Sequence, residues 1–153
     1  MPKITPFLWF DGRAEEAANF YASVFKDNAK VLNVSRKNGK AFLVSFELLG
    51  QRFMALNAEP IFKFTEAVSF FVDCKTQDEV DYYWDRLVEG GEASRCGWLK
   101  DKFGLFWQII PEALGRLMGD PDPEKSKAVF QAMLKMNKII IRDLESAHEG
   151  KAA

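Results

Sequence analysis

Cys96-Gly97-Trp98-Leu99-Lys100-Asp101-Lys102-Phe103-Gly104-Leu105-Phe106-Trp107-Gln108-Ile109-Ile110-Pro111 is the stretch on which the fold turns. It reads as two short strands around a tight turn: Trp98 to Lys100 enters, Asp101 to Gly104 reverses, and Leu105 to Ile110 leaves until Pro111 stops it. Asp bonds its own backbone in such turns, and Gly takes positive φ without penalty. Strand alternation puts Phe106, Gln108 and Ile110 on one face and Leu105, Trp107 and Ile109 on the other. Gln108 is a lone amide among apolar neighbours. It must bond a nearby group or face a polar ligand.

Outward from this hairpin the chain repeats itself. Ile4 to Phe10 reads as a strand ended by Asp11-Gly12, and Ala14, Ala17, Ala18, Tyr21, Val24 and Phe25 then recur at helical spacing. Extended segments follow at Lys30–Ser35, Ala41–Leu49 and Arg52–Asn57, with Asn38-Gly39 and Gly50-Gln51 as reversals. After a linker, the order restarts. Ala67 to Cys74 reads as a strand, Thr76 and Glu79 form a capping box, and Val80, Tyr83, Trp84, Leu87 and Val88 form an apolar helical stripe closed by Gly90-Gly91. Extended pieces through Ala93-Ser94, Trp98–Lys100 and Leu105–Ile110 complete a second β-α-β-β-β unit. Two units of one pattern make the chain α+β and internally duplicated.

Beyond the second unit, Leu114, Leu117 and Met118 suggest a short helix. Asp122 then caps a helix with Pro123 in first position. From Val129 through Met133, Met136, Ile140 and Leu144 runs one wide apolar stripe, expected to be core or interface. The domains read as paired modules over 1–111 (4–57 and 67–111) and a helical extension over 112–153.

The totals narrow the function. The chain has 153 residues, 48% hydrophobic with 14 Phe, so material for a core is ample. Lysine and arginine number 21 against 22 acids, a balance that gives no steering toward nucleic acid or an anionic membrane. No apolar run is long enough to span a bilayer and no signal peptide is evident, so the expected location is the cytoplasm, with Cys74 and Cys96 as free thiols. His148 is the one histidine, so Ser-His-Asp catalysis and a two-histidine metal site are not expected; a place in an exposed tail is.

The two modules, the segment Glu16-Ala17-Ala18-Asn19-Phe20-Tyr21 followed by Phe25, Asp101 to Gln108 after Gly97-Trp98, and the tail Gly119-Asp120-Pro121-Asp122-Pro123-Glu124-Lys125 with Ala132 to Ile139 together resemble one family. This is the vicinal oxygen chelate superfamily of glyoxalases, bleomycin-resistance proteins and dioxygenases, in its PhnB-like branch of 3-demethylubiquinone-9 3-methyltransferase domain proteins. The resemblance implies paired βαβββ modules curling into a half-open β-barrel around a cavity, usually in a homodimer, with a divalent metal held by His and Glu. Carried onto this sequence, the ligand glutamate falls at Gln108, and the strand opening the second module offers Ala67, Val68 and Ser69. The first strand offers Thr5, and the fourth ends at Asn57. An amide is a poor ligand for such cations. The superfamily metal site is therefore expected to be missing, with no metal and no other cofactor.

The expected function is binding of a small molecule, aromatic or quinone-like in shape, in an aromatic-lined cavity formed by Trp9, Asn57, Ser69, Phe71, Phe106 and Gln108. For each of these residues, core packing or local hydrogen bonding is the competing role. The rival is an enzyme, of the glyoxalase/dioxygenase superfamily or a 3-demethylubiquinone-9 3-methyltransferase. Glu47, Asp73 and Cys96 would be its acids and thiol, and methyl transfer would rest on the family's name, since neither Gly90-Gly91 nor Gly97 forms a nucleotide-binding turn. A third possibility is a barrel filled by its own side chains.

Overall fold

The computed structural model describes residues 3–150, so the last three residues of the expected extension lie outside it. The chain divides into two compact units, one through Lys63 and one from Phe64. In the first, β1 (Phe7–Phe10), α1 (Ala14–Phe25), β2 (Ala29–Lys37), β3 (Lys40–Leu48) and β4 (Gln51–Asn57) build a sheet ordered β1-β4-β3-β2. In the second, β5 (Ser69–Cys74), α2 (Gln77–Val88), β6 (Glu92–Ala93), β7 (Trp98–Lys100) and β8 (Phe106–Pro111) build a sheet ordered β5-β8-β7-β6. Each sheet has one parallel pair, β1 with β4 and β5 with β8, and is otherwise antiparallel. Identical strand orders make the duplication a fact of topology. The fold is α+β, and each sheet is open-edged.

The helices form where the periodicity predicts them. All six apolar positions named for α1 are buried, and its alanines let it lie close to the sheet. Arg13 at its N-cap supplies no side-chain bond. Asn57, at the end of β4, does so instead: its Oδ1 accepts from Ala14 N at 2.8 Å while its Nδ2 donates to Ala41 O at 3.0 Å. The Thr76 capping box forms with one change, since the Glu79 carboxylate accepts from Lys75 N, one residue before the cap.

The tail differs from its sequence reading. It contains α3 (Glu112–Met118), α4 (Pro123–Met133) and α5 (Ile141–His148), and the apolar stripe is broken between the last two. Tertiary bonds cause the break. Met136 O and Asn137 O accept from Cys96 N and Gly97 N, both at 2.8 Å. The Gln77 amide donates to Ile139 O at 3.0 Å and accepts from Ile141 N at 2.8 Å. Helix could not continue through backbone groups already committed elsewhere. Ile110, Leu114, Leu117, Val129, Ile139 and Leu144 close a separate core over this arrangement, with the methionines packed around it. Nor is His148 an exposed tail residue: its Nε2 lies 2.8 Å from Asp120 Oδ2, with its side chain 21% exposed.

The segment between α4 and α5 is tied to α2 by charge as well. Lys138 Nζ sits 2.9 Å from Asp81, whose carboxyl is held below the ordinary aspartate range by the hydrogen bond from Gln77 first and by Lys138 second. A depressed carboxyl adds stability above its unfolded pKa and loses it as pH falls through the folded value. Asp81→Asn is therefore expected to be less stable than the parent at neutral pH. The two urea midpoints should converge below about pH 4. A gap independent of pH would show that the ion pair contributes nothing.

Among the described residues, no helix is long and apolar enough to cross a membrane.

Candidate functional site

Sheet geometry sorts the expected site residues into three places. The helix-covered face of the first sheet contains Phe46, whose ring lies 6.1 Å from that of Tyr21, together with Phe53, Ala55 and Asn57. Asn57 thus belongs to the α1 side, and both ends of its amide are occupied. Trp9 alternates to the other face. Its indole Nε1 donates to Glu59 O at 2.8 Å, and its ring meets Phe62 edge-on at 5.0 Å.

Ser69, Phe71, Phe106 and Gln108 come together on the second sheet. Cys74 marks the side facing α2. Burial, then the charges of Glu79 and Asp73, push its thiol up to about 12, so it stays protonated and unreactive. Val72, Leu99, Trp107 and Ile109 are buried on that side. The opposite side carries two rows across three strands. One row is Phe71, Gln108 and Trp98; the other is Ser69, Phe106 and Lys100. Phe71 is 58% exposed and the other five are half-buried. Gln108 Nε2 donates to Ser69 Oγ at 2.9 Å. Among the described residues its Oε1 accepts no hydrogen bond, so the amide presents an acceptor between two aromatic rings.

Asp101 fixes this arrangement, in a role that exceeds the turn chemistry read from sequence. The residue is 2% exposed; its Oδ1 accepts from Phe103 N at 2.8 Å and Leu105 N at 3.0 Å, and Oδ2 from Trp107 Nε1 at 2.9 Å. The two backbone bonds set the turn. The third locks Trp107 on the α2 side, which by alternation holds Phe106 and Gln108 on the other. Sequence offered the signal, an Asp six residues before a Trp, but not that both would be buried together.

The enzyme candidates do not assemble. Glu47 lies opposite Lys30 and Arg52 on neighbouring strands, Asp73 is exposed, and Cys96 is half-buried with its backbone bonded to Met136. Among the described residues, no three of His, Cys, Asp and Glu lie placed to hold a metal ion.

A family model described as 3-demethylubiquinone-9 3-methyltransferase matches residues 2–110. Among solved structures, the chain is similar to a PhnB protein from Bacillus cereus that carries the same methyltransferase name, at 35% identity, covering 72% of this chain and 99% of that one with a TM-score of 0.68. A protein from Pseudomonas aeruginosa shares the fold at 18% identity, covering 72% and 98% with a TM-score of 0.60. The fosfomycin resistance protein FosX from Listeria monocytogenes, solved with Mn(II) and sulfate, shares it at 16% identity, covering 70% and 90% with a TM-score of 0.53. No curated protein sequence matches the chain.

Proposed function

The chain belongs to the 3-demethylubiquinone-9 3-methyltransferase family, the PhnB-like branch of the vicinal oxygen chelate fold, and on that premise we propose that it binds a small planar molecule on the face of its second sheet that lies opposite α2. The observation that carries this reading is the Gln108 amide, tied to Ser69 yet with its oxygen unclaimed, between Phe71 and Trp98. Aromatic rings offer stacking area, and a single oriented amide fixes one polar edge. A planar aromatic or quinone-like ligand suits both. Lys100, on the neighbouring row, is held by Glu92, its Nζ 3.7 Å from that carboxylate.

The superfamily's divalent metal does not fit this face. At the position carried over from the ligand glutamate stands a neutral amide, and its partner is a hydroxyl, so the donor set carries no negative charge. Binding without a metal follows. Methyl transfer comes to this chain through the family's name alone. The active molecule is a homodimer in this reading: Phe7, which opens the edge strand β1, and Ile4, three residues before it, are 54% and 84% exposed, apolar surface that a second copy would cover. Free thiols at Cys74 and Cys96 suit the cytoplasm.

Titration of a water-soluble benzoquinone into the protein, followed by calorimetry, tests the site. Wild type should bind saturably, and Gln108→Leu should weaken binding by about tenfold, the worth of one hydrogen bond inside an apolar site. Phe71→Ala should weaken it by a similar factor. Undiminished affinity in Gln108→Leu would move the site elsewhere. Assay with a methyl donor and a hydroxylated quinone decides whether binding leads to reaction.

A further inference from the structure

The first module carries a cleft of about 890 Å³, lined by Asp11 and Gly12 before α1 and Glu15, Glu16 and Asn19 in it, by Lys37, Lys40, Ala41 and Phe42 of the β2–β3 hairpin, and by Asn57 to Glu59. That volume falls within the range of small-molecule sites. Two ion pairs brace its walls, Arg36 to Glu15 and Arg13 to Glu16, each at 2.8 Å. Four charges remain. Asp11 and Glu59 follow the adjacent ends of β1 and β4, where Ala58 N donates to Phe10 O at 2.9 Å. Lys37 and Lys40 stand at the hairpin tip, Lys37 with its ammonium 4.3 Å from the Phe42 ring centroid. Among the described residues Asp11, Glu59, Lys37 and Lys40 form no ion pair.

We propose that this cleft binds a short peptide with free termini, its ammonium toward Asp11 and Glu59 and its carboxylate toward Lys37 and Lys40. Unspent charges of both signs favour a ligand that is itself bipolar. A simple anion would meet the two acids, and a simple cation the two lysines. Asn57 takes no part, because its amide is committed to Ala14 and Ala41. The cleft has the size for two or three residues, and Ala41, Phe42 and Ala58 give it apolar surface. The duplication supplies an internal precedent. In the second module the same corner, the first turns of α2, holds peptide backbone: Gln77 bonds Ile139 O and Ile141 N, and Asp81 takes Lys138, the residue just before them.

The probe is L-alanyl-L-alanine, titrated into the full chain while the backbone amide shifts of residues 11–19 and 37–42 are followed by NMR. Saturable shifts are expected in both segments. N-acetyl-alanyl-alanine and alanyl-alanine amide, each lacking one charge, should bind about tenfold more weakly. Lys40→Gln should weaken the dipeptide by about tenfold and leave the amide form unchanged; Asp11→Asn should do the same with the N-acetyl form as its control. Both side chains are exposed, so neither variant threatens folding. Absence of saturable shifts, or equal binding by the capped forms, overturns the proposal.

Discussion

Replacing Gly91 with alanine is expected to destabilise the second module by more than about 3 kcal/mol, the range of severe overpacking. A Cβ there would lie well inside contact distance of the Lys100 carbonyl oxygen, 2.8 Å from the Asp101 carbonyl carbon and 2.9 Å from its Cα. These are backbone atoms of the turn and cannot rotate aside as a side chain would. Relief would require separating β6 from β7, where Glu92 pairs with Lys100. Gly90 is the control. Its φ of +76° is strained for alanine, but an added Cβ would meet only the Lys102 side chain, at 3.2 Å. Gly90→Ala should cost about 1 kcal/mol. Urea denaturation of the pair decides the matter: equal midpoints would mean that the close approach at Gly91 does not exist in solution.

Asp101→Ala should cost about 4 kcal/mol, since it strands the amides of Phe103 and Leu105 and the Trp107 indole N–H in a site closed to water. Asp101→Asn distinguishes the turn from the ring. The asparagine oxygen can keep both backbone bonds, but its NH2 would face the indole N–H, donor against donor. About half the loss should remain, at about 2 kcal/mol. Tryptophan fluorescence during unfolding reads both variants, and a small loss in Asp101→Ala would show that water reaches the carboxylate. Quinone binding should fall with them, because Trp107 sets the parity that directs Gln108 to the open face.

Much of the fold was legible because its signals are local. Period-two and period-3.6 spacing placed the strands and the first two helices, and Thr76, Asp122 and Pro123 marked helix starts that the structure keeps. Edges moved by a few residues. The first strand begins only at Phe7, and β8 runs from Phe106 through Pro111, because pairing partners, not propensity, decide where a ladder ends. The tail misled for a different reason. Its apolar spacing suits one helix, yet Gln77, Cys96 and Gly97, all distant in sequence, claim the backbone that would have continued it.

The candidate site was half legible. Alternation put Phe106 and Gln108 on one face, and the need of a lone amide for a partner was met by Ser69, thirty-nine residues away. Asn57 could not be placed from its own strand, since the orphan N–H that it caps belongs to a helix forty-three residues earlier. The bipolar cleft was invisible, because Asp11, Lys40 and Glu59 share no pattern along the chain.

Sequence alone determined the duplication, the α+β class and the family, since these rest on periodicity and on motifs read within a few residues of each other. Only the tertiary structure decided which polar side chains are spent on the fold and which remain for a ligand. Hydrogen-bond satisfaction is a property of neighbours in space, and the chain does not spell those neighbours out.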